Sequence, residues 1–98
     1  MEVRTVRQDR ILLSPAFNRD SAYVAIHTPK GAEYRECYEE IERYMYEIGG
    51  RPHWGKISSL SSDKFKNIYP LSDSFKQIRI ENDPNGIFLN KWAKQLFS

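Results

Sequence analysis

The residues of this sequence best suited to chemistry are an acid, a guanidinium, two imidazoles and a lysine. Glu2 and Arg4 stand two apart in the β-branched run Glu2-Val3-Arg4-Thr5-Val6. Side chains alternate faces along a strand, so Glu2 and Arg4 share one face while Val3 and Thr5 share the other. A guanidinium donates planar, fixed hydrogen bonds, and a carboxylate accepts from hydroxyls. The pair reads either as a surface ion pair of small energetic worth or as the polar floor of a site for a hydroxyl-rich molecule. His27 ends an otherwise apolar run. Alone it is a boundary residue; beside Glu2 and Arg4 it would be placed to take a proton from a hydroxyl. His53-Trp54-Gly55-Lys56 is the most unusual string, and no periodicity accounts for it. Glycine inside an extended stretch marks close approach of backbone or ligand. The string reads as a tight connection with an exposed lysine or as part of a site.

Other chemistries lack their residues. His27 and His53 have no Asp, Glu or Cys at a spacing that completes a metal site, so no metal is expected. There is no phosphate loop, dinucleotide glycine motif or nucleophile elbow. Cys37 is the only cysteine, which excludes an internal disulfide and fits a reducing compartment. The net charge is +2, with acidic residues gathered between Glu33 and Glu47 and basic ones between Arg51 and Arg79. That spread describes a solvated surface or an interface. A nucleic-acid groove needs basic residues on one face interleaved with aromatics, and no recognition motif is present. No stretch is long or apolar enough to span a bilayer, and the N-terminus has no apolar signal core. A cytoplasmic protein acting on neither membrane nor nucleic acid is expected.

The elements that must position these residues are those of a small α+β fold. Ninety-eight residues with 40% hydrophobic and 29% charged side chains make one modest core. Residues 2–6 form a first strand and residues 21–28 a second. In the second, Ala22, Val24 and Ile26 line one face, and Tyr23, Ala25 and His27 the other. Tyr34, Cys37, Tyr38, Ile41, Tyr44, Met45 and Ile48 recur at helical spacing, and Gly49-Gly50 stops that helix. This long amphipathic helix is expected to pack on the small antiparallel sheet. Arg51 to Lys56 reads as a short extended segment. Ser61-Ser62-Asp63 caps a short helix holding Phe65 and Ile68. A further helix runs from Asp73 to Glu81, Asp83-Pro84-Asn85-Gly86 turns the chain, and a helical tail spans Phe88 to Phe97.

Several strings, in order, resemble a known family. Glu2-Val3-Arg4-Thr5-Val6, Leu13-Ser14-Pro15-Ala16-Phe17, Arg19-Asp20-Ser21 and Ala25-Ile26-His27 resemble the substrate (cap) domain of bacterial alditol oxidases. Arg51-Pro52-His53-Trp54-Gly55-Lys56 is similar to a signature shared with gulonolactone and arabinonolactone oxidases. Phe75, Arg79, Asp83-Pro84, Gly86, Phe88 and Asn90 are similar to the C-terminal segment of that family. These are flavoproteins of the vanillyl-alcohol-oxidase type. The resemblance implies hydride transfer from a carbinol carbon of a polyol or sugar lactone to FAD, with oxygen reduced to peroxide. It implies that Glu2 and Arg4 bind substrate hydroxyls, that His27 is the base at the oxidised carbon, and that Lys56 lies near substrate and flavin. It gives His53 and Asn90 flavin-side contacts. After the histidine this sequence runs Thr28-Pro29-Lys30, where the alditol oxidases carry an aromatic and threonine-containing string.

The same resemblance implies that residues 1–98 are a C-terminal fragment of the substrate domain, part of a larger cap, without the FAD-binding domain. The fragment is expected to be inactive alone, not to retain FAD, and to expose apolar surface through which it self-associates. Two alternatives stand beside it: a separate subunit completed by a flavin-domain partner, and a small non-enzymatic binding module.

Overall fold

Period-two alternation produces the two strands, β1 (Glu2–Val6) and β2 (Ser21–Ala25), paired antiparallel in register Glu2↔Ala25, Arg4↔Tyr23 and Val6↔Ser21. The computed structural model describes residues 1–97, which divide into two compact units, one of residues 1–59 and one that begins at Leu60. β2 is shorter than the sequence suggests. The last ladder pair is Glu2↔Ala25, and residues 26–29 are not in strand conformation.

The connection between the strands is folded on itself. The Asp9 carboxylate accepts from the Ile11 N–H at 3.0 Å and the Ser14 hydroxyl at 2.5 Å, and the Ser14 Oγ accepts from the Ala16 N–H at 3.1 Å. Backbone bonds from Asp9 N to Ala16 O (3.1 Å) and from Asn18 N to Asp9 O (2.9 Å) close the loop. Ala16 is 1% exposed at its centre, where a larger side chain has no room.

Helix α1 (Arg35–Glu47) starts where the Glu33 carboxylate accepts from the N–H groups of Tyr34 and Arg35 at 3.1 and 3.0 Å. It ends in a Schellman pair, Gly49 N to Tyr46 O (3.0 Å) and Gly50 N to Met45 O (2.6 Å), with Gly49 at φ 75°. No residue of α1 is buried, and both Tyr44 and Ile48 are 61% exposed. Polar fixings hold it instead. The Tyr38 hydroxyl donates to Ile26 O at 3.2 Å, Glu42 accepts from Ser59 N at 2.7 Å, and Arg19 donates to Gly49 O at 2.7 Å.

The second unit is helical: α2 (Ser62–Ile68), α3 (Ser72–Asn82) and α4 (Lys91–Phe97). Ser61 caps α2 through its hydroxyl, which accepts from Lys64 N at 3.3 Å. The interior is aromatic. Phe97 meets Phe65 edge-on at 5.3 Å, Phe75 at 5.2 Å and Trp92 edge-on at 6.3 Å, and Phe65 lies 5.1 Å from the fully buried Tyr69. Asp83 is buried and accepts from the Ile87 and Phe88 N–H groups at 2.8 and 3.0 Å, which makes the expected turn. Among the described residues the architecture is α+β, a small antiparallel sheet with four helices. Among the described residues no helix is long and apolar enough to cross a membrane.

Candidate functional site

Pairing sets which side chains share a surface. Opposite residues of an antiparallel ladder lie on one face, so Glu2 and Arg4 share theirs with Ala25 and Tyr23. Arg4 Nε donates to Glu2 Oε1 at 2.6 Å, and Arg4 Nη2 lies 2.5 Å from the same oxygen. The side chains are 75% and 49% exposed, so the pair adds at most about 1 kcal/mol to stability. Both guanidinium contacts fall on Oε1. Glu2 Oε2 and Arg4 Nη1 have no partner among the described residues.

His27 lies two residues beyond the last ladder pair, outside β2, where strand alternation no longer fixes its face. It is exposed and bonds to neither Glu2 nor Arg4 among the described residues. Its neighbours are tethered. The Tyr38 hydroxyl of α1 reaches Ile26 O and, at 3.4 Å, the Thr28 hydroxyl, so α1 holds the chain on both sides of His27.

Arg51 to Lys56 is not extended. Lys56 N donates to His53 O at 3.1 Å, closing a turn over 53–56, and Gly55 N donates to His53 Nδ1 at 3.0 Å. The side chain of a histidine, and not ladder pairing, organises this stretch. Lys56 and His53 are exposed and Trp54 between them is half-buried. The stem of the turn is anchored by Arg51, which donates through Nη1 to the carbonyls of Ser14, Pro15 and Phe17 at 3.1, 3.1 and 3.4 Å. Two strings that the sequence offered separately, Leu13–Phe17 and Arg51–Lys56, are thus joined by one guanidinium. Asn90 belongs to the second unit and is the N-cap of α4, its Oδ1 accepting from Ala93 N at 2.8 Å.

Sequence reasoning missed Tyr23 as a site-face residue and Arg51 as an anchor. Tyr23 needed the register. Arg51 bonds across more than thirty residues, and only its place before the proline hinted at it. The depression lined by Thr5, Val6, Arg7, Asp20, Ser21 and Ala22 is shallow and lies toward the opposite end of the ladder from Glu2. The Glu2–Arg4 face is an open platform. Among the described residues no three His, Cys, Asp or Glu side chains are grouped to hold a metal ion.

The sequence model of the D-arabinono-1,4-lactone oxidase family matches residues 1–96. The chain belongs to this family. It is 46% identical over 104 residues to L-gulonolactone oxidase of Scyliorhinus torazame, covering 99% of this chain and 23% of that protein. It is 34% identical to L-gulono-1,4-lactone dehydrogenase of Mycobacterium tuberculosis (98% and 22% covered) and 31% identical to alditol oxidase of a Streptomyces species (97% and 23% covered). The chain spans just under a quarter of the length of these relatives.

Proposed function

We propose that the chain is the substrate-facing part of a flavin-dependent oxidase of aldonolactones or alditols, completed by a flavin-binding segment outside residues 1–98 and silent without it. The observation that carries this reading is the open Glu2–Arg4 pair, with an acceptor and a donor left unused, in a chain matched to an oxidase family along nearly its whole length. The higher identity to L-gulonolactone oxidase than to alditol oxidase favours a sugar lactone. On the opposite sheet face Val3 and Val24 are uncovered, which fits a site completed by further protein.

The Glu2 carboxylate accepts from a substrate hydroxyl and the unused N–H groups of Arg4 donate to substrate oxygens, so the two orient a polyhydroxylated ring. His27 takes the proton of the hydroxyl on the carbon being oxidised. The Lys56 ammonium opposes negative charge that develops as the carbon–hydrogen bond breaks. Bound FAD supplies the hydride acceptor. Within the first unit, His53 and Lys56 fit the polar edge of its ring and not its phosphates: His53 Nδ1 is already bonded within the chain, so His53 offers a ligand a donor, as Lys56 does, and no phosphate loop is present. Asn90, in the second unit, caps α4 through Oδ1 and keeps its amide N–H groups for a flavin-side contact. An unpaired, exposed Cys37 supports a cytoplasmic setting.

The test is a chimera of the Scyliorhinus torazame enzyme carrying residues 1–98 in place of its matching segment. Turnover of L-gulonolactone is expected, and Glu2→Gln or Arg4→Met is expected to lower kcat/KM by about ten- to a hundred-fold, the loss of one charged hydrogen bond. A flavin-loaded chimera whose two variants turn over as fast as their parent would overturn the assignment.

A further inference from the structure

The imidazole of His53 folds back on its own backbone, and this restricts what it can do. A ring nitrogen that accepts a hydrogen bond carries no proton, so acceptance from Gly55 N–H at 3.0 Å puts the proton of the neutral ring on Nε2. The backbone enforces the arrangement. The bond from Lys56 N to His53 O closes the turn, and a Cβ at position 55 would stand 3.2 Å from His53 Cε1 and 3.4 Å from Nδ1, pressing the ring aside. Arg51 and Arg19 fasten the stem of the turn to the loop between the strands. His53 Nε2 has no partner among the described residues, and the ring is exposed.

We propose that His53 is a hydrogen-bond donor of fixed tautomer, presenting Nε2–H to an acceptor oxygen of the ligand, a carbonyl or an oxyanion, and that it is not the base that removes the substrate proton. Lys56, at the other end of the same turn, adds a second donor. The turn therefore suits a ligand edge carrying carbonyl oxygens or spread negative charge, and a hydroxyl acting only as donor finds no side-chain acceptor on it. The tautomer follows from the geometry alone. The assignment of the acceptor oxygen to flavin or lactone rests on the oxidase reading above.

Long-range proton–nitrogen NMR of the labelled 98-residue chain, at a pH about two units above the ordinary imidazole value of about 6.5, reads the tautomer directly. His53 is expected to favour Nε2–H over Nδ1–H roughly five-fold more than His27 does, the ratio given by one ordinary net hydrogen bond. Gly55→Ala is expected to return His53 to the ratio of His27. A predominant Nδ1–H form in the parent chain would overturn the proposal whether or not the oxidase reading holds. In the chimera, His53→Asn keeps an acceptor for Gly55 N–H but removes the outer donor, and His53→Gln restores a donor near the Nε2 position. A flavin absorption shift in His53→Asn, reversed in His53→Gln, assigns the acceptor oxygen to the flavin. A raised KM with an unchanged spectrum, likewise reversed, assigns it to the lactone. Neither change in a flavin-loaded chimera would overturn the donor role.

Discussion

Arg51 and the Glu2–Arg4 pair illustrate two uses of a guanidinium. Arg4 is exposed and bonds one carboxylate oxygen, which leaves N–H groups open to a ligand. Arg51 is half-buried and spends one nitrogen on three carbonyls of the Ser14–Phe17 segment, so its worth is structural. Removing it leaves those acceptors without their charged donor. Arg51→Met should lower the unfolding free energy by about 1.5–3 kcal/mol in a urea titration. A change within about 0.5 kcal/mol, the usual range for surface substitutions, would mean that the guanidinium does not anchor the loop.

At the scale of elements, local signals were legible and pairing was not. The 3.6-residue recurrence from Tyr34 to Ile48 and the glycine stop gave α1 almost to its ends, because both are written in neighbouring residues. The capping serine of α2 and the turn at Asp83 were legible for the same reason. The end of β2 was not, since it is set by the register of pairing and not by neighbouring residues. Nor was the turn at 53–56, which the Lys56 N to His53 O bond closes and the histidine side chain braces within a run that composition alone makes look extended. Strand alternation put Glu2 with Arg4 and Tyr23 with His27, but only the register joins the first pair to Tyr23, and His27 lies past its reach. Asn90 carries a role that the sequence reading did not assign, the cap of α4. Asn90→Ala should cost about 1 kcal/mol of stability and Asn90→Asp much less, measured by thermal unfolding. Equal losses from both would show that the amide acts by something other than capping.

Across the whole molecule, the two units keep their interiors differently. Residues 60–97 bury an aromatic cluster in which Phe97 touches Phe65, Phe75 and Trp92, so Phe97→Ala should remove about 3–5 kcal/mol and abolish cooperative unfolding of that unit in near-ultraviolet circular dichroism. Residues 1–59 bury little apart from Ala16 and depend on loops and arginine bonds, while their sheet leaves both faces open. A platform of that kind, within a family whose compared members are about four times as long, is the basis for the proposal that this chain faces the substrate and that the flavin is held by protein beyond it. The most direct measurement is the visible absorption spectrum of the purified chain after incubation with FAD and desalting. A colourless protein is expected. A flavin band that stays with the chain would contradict it, because residues 1–98 would then hold the cofactor by themselves.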